Sequence, residues 1–264
     1  MTSSFIPSAS YDISLLKDSQ LLLPSVSIGN VPQLTCDLII HTLHLKRVGF
    51  ISSDAVIPVV GQYEDQQAIG ISVPIEVYQS KDRRWTVIQQ RSPTLKGKKQ
   101  SLISTLITFI ASAGFSQVVI LTSLDAARRL DSQISGIPFR VVGDVNTVQD
   151  IYQTIQVPNL EMPPTEQQQK EDIDMTSTLP PMPGAGIARS LYQQLQEKKT
   201  KVIMFCMFVL EGDNVQDSVE LANLLNTYYH IKSKDTDINN SGAWTPPKSW
   251  ECLFGTPFNA EIYQ

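Results

Sequence analysis

The order of apolar and polar residues divides this chain into short strands and amphipathic helices. Leu21 to Val26 is a brief apolar run closed by Gly29-Asn30, the pattern of a strand followed by a turn. Val31, Leu34, Leu38 and Leu45 then recur at helical spacing with Pro32 in the first turn, and Lys46 to Ser52 predicts the next strand. A strand–helix–strand opening favours parallel pairing. Ile69, Ile71, Val73, Ile75 and Val77 alternate without a break, which predicts one strand with all five on the same sheet face. The polar turn Ser80-Lys81-Asp82-Arg83 leads into Trp85 to Gln90 and makes a hairpin, so the sheet is expected to be mixed.

The second half continues the pattern. Leu102, Ile103, Leu106, Ile107 and Ile110 predict a helix stopped by Gly114. Gln117 to Thr122 and Phe139 to Val142 read as strands, and Val145 to Ile155 as a helix. Gly184 to Glu197 reads as a turn and a helix. Lys201 to Leu210 is apolar almost throughout, as expected of a central strand. After Glu211-Gly212-Asp213 a helix is predicted, with Asp213 as cap, Gln216 three residues on, and Val215, Val219, Ala222 and Leu225 as the buried stripe.

These elements predict the fold class: an α/β protein with a mixed central sheet flanked by helices. Residues 1–19 are expected to be flexible, and 20–235 to form a single α/β domain. Within it, 157–183 loses periodicity and carries Pro158, Pro163, Pro164, Pro180, Pro181, Pro183 and a Gln167-Gln168-Gln169 run, which predicts a disordered insertion. Residues 236–264 read as a C-terminal arm.

Composition narrows the classes of function. At 264 residues and 42% hydrophobic, the chain can bury one large core. Its longest apolar run, Val202 to Leu210, falls well short of the roughly 18 residues that a membrane span needs, so no membrane partner is expected. The first residues lack the pattern of a secretory signal. Cys36, Cys206 and Cys252 are far apart and odd in number, which implies no disulfide framework. A cytoplasmic and nuclear protein is expected. A net charge of −5 and a pI near 5.2 argue against a nucleic-acid partner, since phosphate binding needs a concentrated basic face. The strongest basic cluster is only Lys96, Lys98 and Lys99.

The search for chemistry yields four candidates. Pro183-Gly184-Ala185-Gly186 opens a helix, where anions are favoured, but it lacks the Gly-Lys-Ser/Thr ending of a phosphate loop and the third glycine of a dinucleotide fingerprint. It reads as a tight turn that lets the helix pack closely. Ser27-Ile28-Gly29-Asn30 is a similar strand-to-helix turn. Glu211 and Asp213 lie at a strand end, where they can cap and turn the chain. Asp37 and His41, four apart on a predicted helix, could share a face as metal ligands, but no third ligand has suitable spacing. No nucleophile elbow or Cys–His arrangement appears. No catalytic, cofactor or metal site is predicted.

Four blocks resemble the proteasome assembly chaperone two family, in the same order along the chain. They are Pro24-Ser25-Val26-Ser27-Ile28-Gly29-Asn30-Val31-Pro32-Gln33-Leu34 with Asp37-Leu38-Ile39-Ile40; Pro183-Gly184-Ala185-Gly186-Ile187 with Leu191-Tyr192; Phe208-Val209-Leu210-Glu211-Gly212-Asp213-Asn214; and Trp244 with Ser249-Trp250 and Leu253-Phe254-Gly255. The first and third are the most specific. The resemblance implies a non-catalytic chaperone that forms a heterodimer with a second, related chaperone. The pair would promote assembly of the α-subunit ring of the proteasome core particle and hinder premature activator binding. It also implies a sandwich like that of the nucleoside phosphorylases. The terminus Ile262-Tyr263-Gln264 is similar to the hydrophobic–tyrosine–any-residue motif by which activators and some chaperones dock between α-subunits. The chemistry suits it: a free carboxylate can meet a basic side chain while the tyrosine ring is buried.

Two other classes remain. An enzyme on the same fold, handling nucleosides or small acids, would need a phosphate site, for which Arg91-Ser92 and Arg140 are the candidates. A generic scaffold would instead bind peptides along a sheet edge.

Overall fold

The computed structural model describes residues 4–9, 11–62, 70–163, 179–232 and 243–252. The strands are β1 (Phe5–Pro7), β2 (Gln20–Pro24), β3 (Lys46–Ile51), β4 (Gly61–Gln62), β5 (Ile71–Ser72), β6 (Ile75–Gln79), β7 (Trp85–Gln90), β8 (Gln117–Asp125), β9 (Phe139–Val142) and β10 (Val202–Val209). The α-helices are α1 (Val31–Thr42), α2 (Lys99–Ala113), the single turn α3 (Asp131–Ile134), α4 (Val145–Ile155), α5 (Ala188–Glu197) and α6 (Val215–Tyr229). Eight strands form one sheet in the order β1-β3-β6-β7-β2-β8-β10-β9, and β4 and β5 make a separate ribbon. The four central strands β7, β2, β8 and β10 are parallel, while β6, β9 and β1 each run antiparallel to a neighbour. The mixed sheet flanked by helices is the predicted fold class.

The central strands are buried on both faces, so each sends alternate side chains into two cores. On one face Leu21, Leu23, Met204, Cys206 and Phe208 pack with Leu102, Phe109, Leu191 and Tyr192 of α2 and α5. On the other, Leu22, Ile203, Phe205, Met207 and Val209 meet Leu38, Ile39, Ile151, Leu221 and Leu225 of α1, α4 and α6. The result is a three-layer sandwich.

Four expectations need correcting. The opening residues include strand β1, which pairs with β3, and Phe5 is buried with its ring 5.2 Å from that of Phe109. Gly49 leaves the space: a Cβ there would lie 2.6 Å from the Phe5 ring. β2 and β3 are parallel but not neighbours, because β6 and β7 pair between them. Of the single strand expected over 69–77, Ile69 lies outside the described residues and the rest is two pieces, β5 and β6, parted at Val73-Pro74, where proline has no N–H to offer; Ile75 and Val77 do share a core face as predicted. The ends of the expected insertion belong to the fold. Val157, Leu160, Leu179 and Met182 are buried, and 158–160 runs along the β9 edge, with Val141 N–H donating to Pro158 O and Leu160 N–H to Val141 O. Residues 164–178 lie outside the described residues.

Within the expected arm, Trp244 is packed against the domain. Trp244 Nε1 donates to Asn223 Oδ1 at 2.8 Å, Lys232 Nζ sits 3.9 Å from the Trp244 ring centre, and Thr245 N–H donates to Thr42 Oγ1. A short 3-10 helix follows at Lys248–Cys252. Among the described residues, no helix is long and apolar enough to cross a membrane.

Candidate functional site

Parallel strands deliver their carboxyl ends to one side of a sheet, and three of the four sequence blocks singled out above meet there. β2 leaves the sheet through Ser25, whose side chain is fully buried. Ser25 Oγ donates to Ala185 O at 2.8 Å and accepts from Ile187 N–H at 3.2 Å. Thr122 Oγ1 donates to the same Ala185 carbonyl, and Ser27 Oγ accepts from Ser123 N–H. Ile28 N–H and Asp125 N–H donate to Gly184 O and Pro183 O. The turns after β2 and before α5 are therefore stitched together across β8.

Glycine makes this approach possible. Gly186 has φ +66°, and a Cβ there would stand 2.0 Å from Val26 O. Gly29, at φ +69°, lies against the Asn214 side chain, which a Cβ would meet at 2.7 Å. Asn214 Nδ2 donates in turn to Gly212 O, which draws in the turn after β10. The space beside Pro183-Gly184-Ala185-Gly186 is thus filled by Val26, Ser25 and Ile28, as the reading of a close-packing turn requires. Glu211 and Asp213 are exposed; Asp213 Oδ1 accepts from Val215 N–H at 3.1 Å, one residue ahead of the Asn214 cap position. Burial, and then the charge of Asp213, raises the Asp217 pKa.

The other candidates have structural partners. Asp37 pairs with Arg91 at 3.3 Å and accepts from Gln89 Nε2 at 2.6 Å. Arg91 also pairs with Glu76 at 3.0 Å, and Glu76 with Arg47 at 2.7 Å. Burial alone would lower the Arg91 pKa; Asp37, Tyr78 and Glu76 outweigh it and raise it. No group of three or more potential metal ligands occurs among the described residues. Arg140, buried, pairs with Glu161 at 2.9 Å and donates to Ile137 O and Phe139 O, so it pins the segment along β9. Partial burial would raise the Glu161 pKa, but hydrogen bonds from Arg140 and Gln133 hold its carboxyl below the ordinary 4.5.

Two cavities flank the stitched turns. One, of about 790 Å³, is lined by Arg128, Arg129, Glu161, Phe208 and Pro180 to Pro183. The Arg129 guanidinium lies 5.2 Å from the Phe208 ring, and that of Arg140 lies 5.6 Å from it. The other, of about 400 Å³, opens between the ends of β2 and β7 among Val26, Asn30, Gln33, Asp37 and residues 89–93. Sequence reasoning named Arg91-Ser92 and Asp37 separately and missed that Gln33 and Gln89 join them. These positions are more than 50 residues apart in part, and no local pattern links them. The predicted docking residues Ile262, Tyr263 and Gln264 lie outside the described residues.

A model of the family described as PAC2 matches residues 21–232. Proteasome assembly chaperone 2 of Danio rerio is 32% identical to this chain, with 91% of this chain and 93% of that protein aligned. Proteasome assembly chaperone 2 of Homo sapiens is 31% identical, over 89% and 91% respectively. Among solved structures, Pyrococcus furiosus PbaA, an archaeal homolog of proteasome-assembly chaperone, superposes with a TM-score of 0.62 at 10% identity, covering 83% of this chain and 84% of that one. At such identity the structural likeness speaks for the fold alone.

Proposed function

This chain belongs to the PAC2 family, and on that premise we propose that it is a non-catalytic chaperone for assembly of the proteasome core particle. The observation that carries the reading is end-to-end alignment with proteins named proteasome assembly chaperone 2, at about three residues in ten and across nine-tenths of both chains. The geometry supports it. Glycines that in an enzyme could cradle phosphate here admit Val26, Ser25 and Asn214, and the arginines an anion site would use are held in ion pairs with Asp37, Glu76 and Glu161.

In this reading the chain pairs with a second, related chaperone, and the pair holds α-subunits and keeps activators away. Ile57, Val59, Val60 and Ile71 support a protein partner: all are exposed, and the β4–β5 pairing brings the two stretches side by side. Ile262, Tyr263 and Gln264 dock on the α-ring. From Cys252 to Gln264 is 264 − 252 = 12 residues, a reach of at most about 40 Å if fully extended. The buried thiols of Cys36 and Cys206 suit the reducing cytoplasm and nucleus.

The test is co-purification of the tagged full chain. Recovery of α-subunits and one related chaperone, without mature activator, is the expected result. Recovery of neither, or release of free base from nucleosides and phosphate by the purified protein, overturns the reading.

A further inference from the structure

Strands that run parallel share an amino end as well as a carboxyl end, and the turns at the amino end lie in a row. Gln20 stands beside Trp85 and Gln117, Val202 beside Val118, and Lys46 beside Gln79. From β3 to β10 is five steps across the sheet, about 24 Å at the usual strand spacing.

The row is basic. The β6–β7 hairpin carries Lys81, Arg83 and Arg84, and the turn before β10 carries Lys198, Lys199 and Lys201. Lys17 precedes β2, and Lys46 opens β3. All are exposed, and among the described residues none of them forms an ion pair. Carboxylates are fewer here. Asp12 accepts from Ser14, Asp82 from Ser80 Oγ and Arg84 N–H, and Asp144, after β9, from Thr147, so these hold their own turns; Asp18 and Glu197 are the others. Arg83 and Lys199 hold left-handed backbone, at φ +60° and +57°, where turn geometry alone favours glycine. This end is therefore positive on a chain whose net charge is −5. At the opposite end the exposed acids Glu211 and Asp213 are mixed with Lys96 and Lys99.

The C-terminal arm starts at the basic end. Arg84 Nη2 donates to the carbonyl of Tyr229, the last residue of α6, at 3.4 Å. Lys232, just past α6, covers the Trp244 ring, and Thr245 N–H donates to Thr42, the last residue of α1.

We propose, on the premise that the chain docks on the α-ring, that this basic end is the face it turns toward the ring, and that the surface it meets there is an acidic protein surface. Charges at the tips of five adjacent turns steer the encounter and set its orientation, while the tail supplies the anchor. Protein suits the face better than nucleic acid, because the carboxylates set among the lysines repel a phosphate backbone.

The test is binding of the full-length protein to assembled α-rings at rising salt, with melting as the check on folding. Lys81→Glu with Lys199→Glu reverses two charges in the row. Lys96→Glu with Lys99→Glu reverses two at the opposite end and changes the net charge equally. The first pair is expected to weaken binding by about tenfold or more and to flatten its salt dependence, and the second to change it by less than about twofold. Tyr263→Ala should weaken binding while keeping the salt dependence of the parent. Equal losses from the two pairs overturn the proposal, as does no loss from the first pair where Tyr263→Ala weakens binding; either result leaves the tail reading intact. Loss from the first pair alone, with parent affinity in Tyr263→Ala, supports the basic face and overturns only the tail reading. Absence of α-ring binding by the parent overturns both. Binding of a labelled DNA duplex that the first pair abolishes assigns the surface to nucleic acid and overturns the proposal too.

Discussion

Replacing Gly186 with alanine tests the stitched turns directly. At φ +66° the added Cβ lies 2.0 Å from Val26 O and 2.8 Å from Ser25 Oγ, where about 3.0 Å is the closest approach that real side chains make. The turn must therefore retreat by roughly 1 Å from a backbone carbonyl that cannot swing away. Left-handed backbone costs an L-residue about 1–2 kcal/mol in its own right. The retreat also pulls Ala185 O and Ile187 N–H off the buried Ser25 hydroxyl, now at 2.8 and 3.2 Å, and each buried hydrogen bond lost costs about 1–2 kcal/mol. The sum is about 4 kcal/mol, which lowers the melting temperature of a chain this long by roughly 8 °C. Gly97 is the matched control: its φ is +80°, but a Cβ there meets nothing within 4 Å. Gly97→Ala should lose only the backbone term, about 1–2 kcal/mol or roughly 3 °C. Melting of both variants beside the parent decides it. Equal, small shifts would mean the turn after β2 can open without cost, and the argument from close approach would fail.

Three further outcomes are expected. Tyr263→Ala, or one residue added after Gln264, should weaken binding to assembled α-rings by about thirtyfold, the loss of roughly 2 kcal/mol from a buried anchor, with melting unchanged; Gln264→Ala should do little, and wild-type affinity in the Tyr263 variant would move docking elsewhere. Because the Glu161 carboxyl is held below 4.5, its contribution is complete above that pH and is lost as the pH falls through its folded value; urea denaturation should therefore separate wild type from Glu161→Gln at pH 6 and bring them together toward pH 3, and a constant gap would refute the ion-pair account. Deleting 157–183 removes Val157, Leu160, Leu179 and Met182 from the interior, each worth about 1.5–3 kcal/mol of burial, and should abolish cooperative melting, while deletion of 164–178 alone should keep it.

The elements legible in the sequence are those whose burial is decided locally. β10 is apolar throughout, and β8 from Val118 to Leu121, because both faces are covered; α4 carries its stripe at helical spacing, so its bounds are the predicted ones. What escaped depends on distant residues. Phe5 looks like part of a polar tail until Gly49 and Phe109 make room for it. Leu160 and Met182 sit among prolines and glutamines that suggest disorder; Arg140 and the β9 edge hold the surroundings of the first, and Arg189 donating to Leu179 O and Pro180 O, with Asp125 N–H on Pro183 O, those of the second. The turn blocks were recognisable as a set, but only the structure shows that Gly29 was spared a side chain for Asn214. The cavity at the ends of β2 and β7 was invisible for the same reason: Gln33 and Gln89 are ordinary residues of a helix and a strand until the sheet order sets them side by side.

The Ser25 contacts also set an order of events as the chain is made. They join residues 160 and 162 apart in sequence, and Gly29 awaits Asn214 for its neighbour. A ribosome that has released β2, β7 and β8 has supplied a parallel core, yet the exit of β2 from it has nothing to close against. Contacts of such long separation form late, because the loop must be gathered before they give anything back. A nascent chain truncated before Pro183 is thus a sheet with an unlatched end, and one truncated before Asn214 still leaves Gly29 without the side chain it packs against.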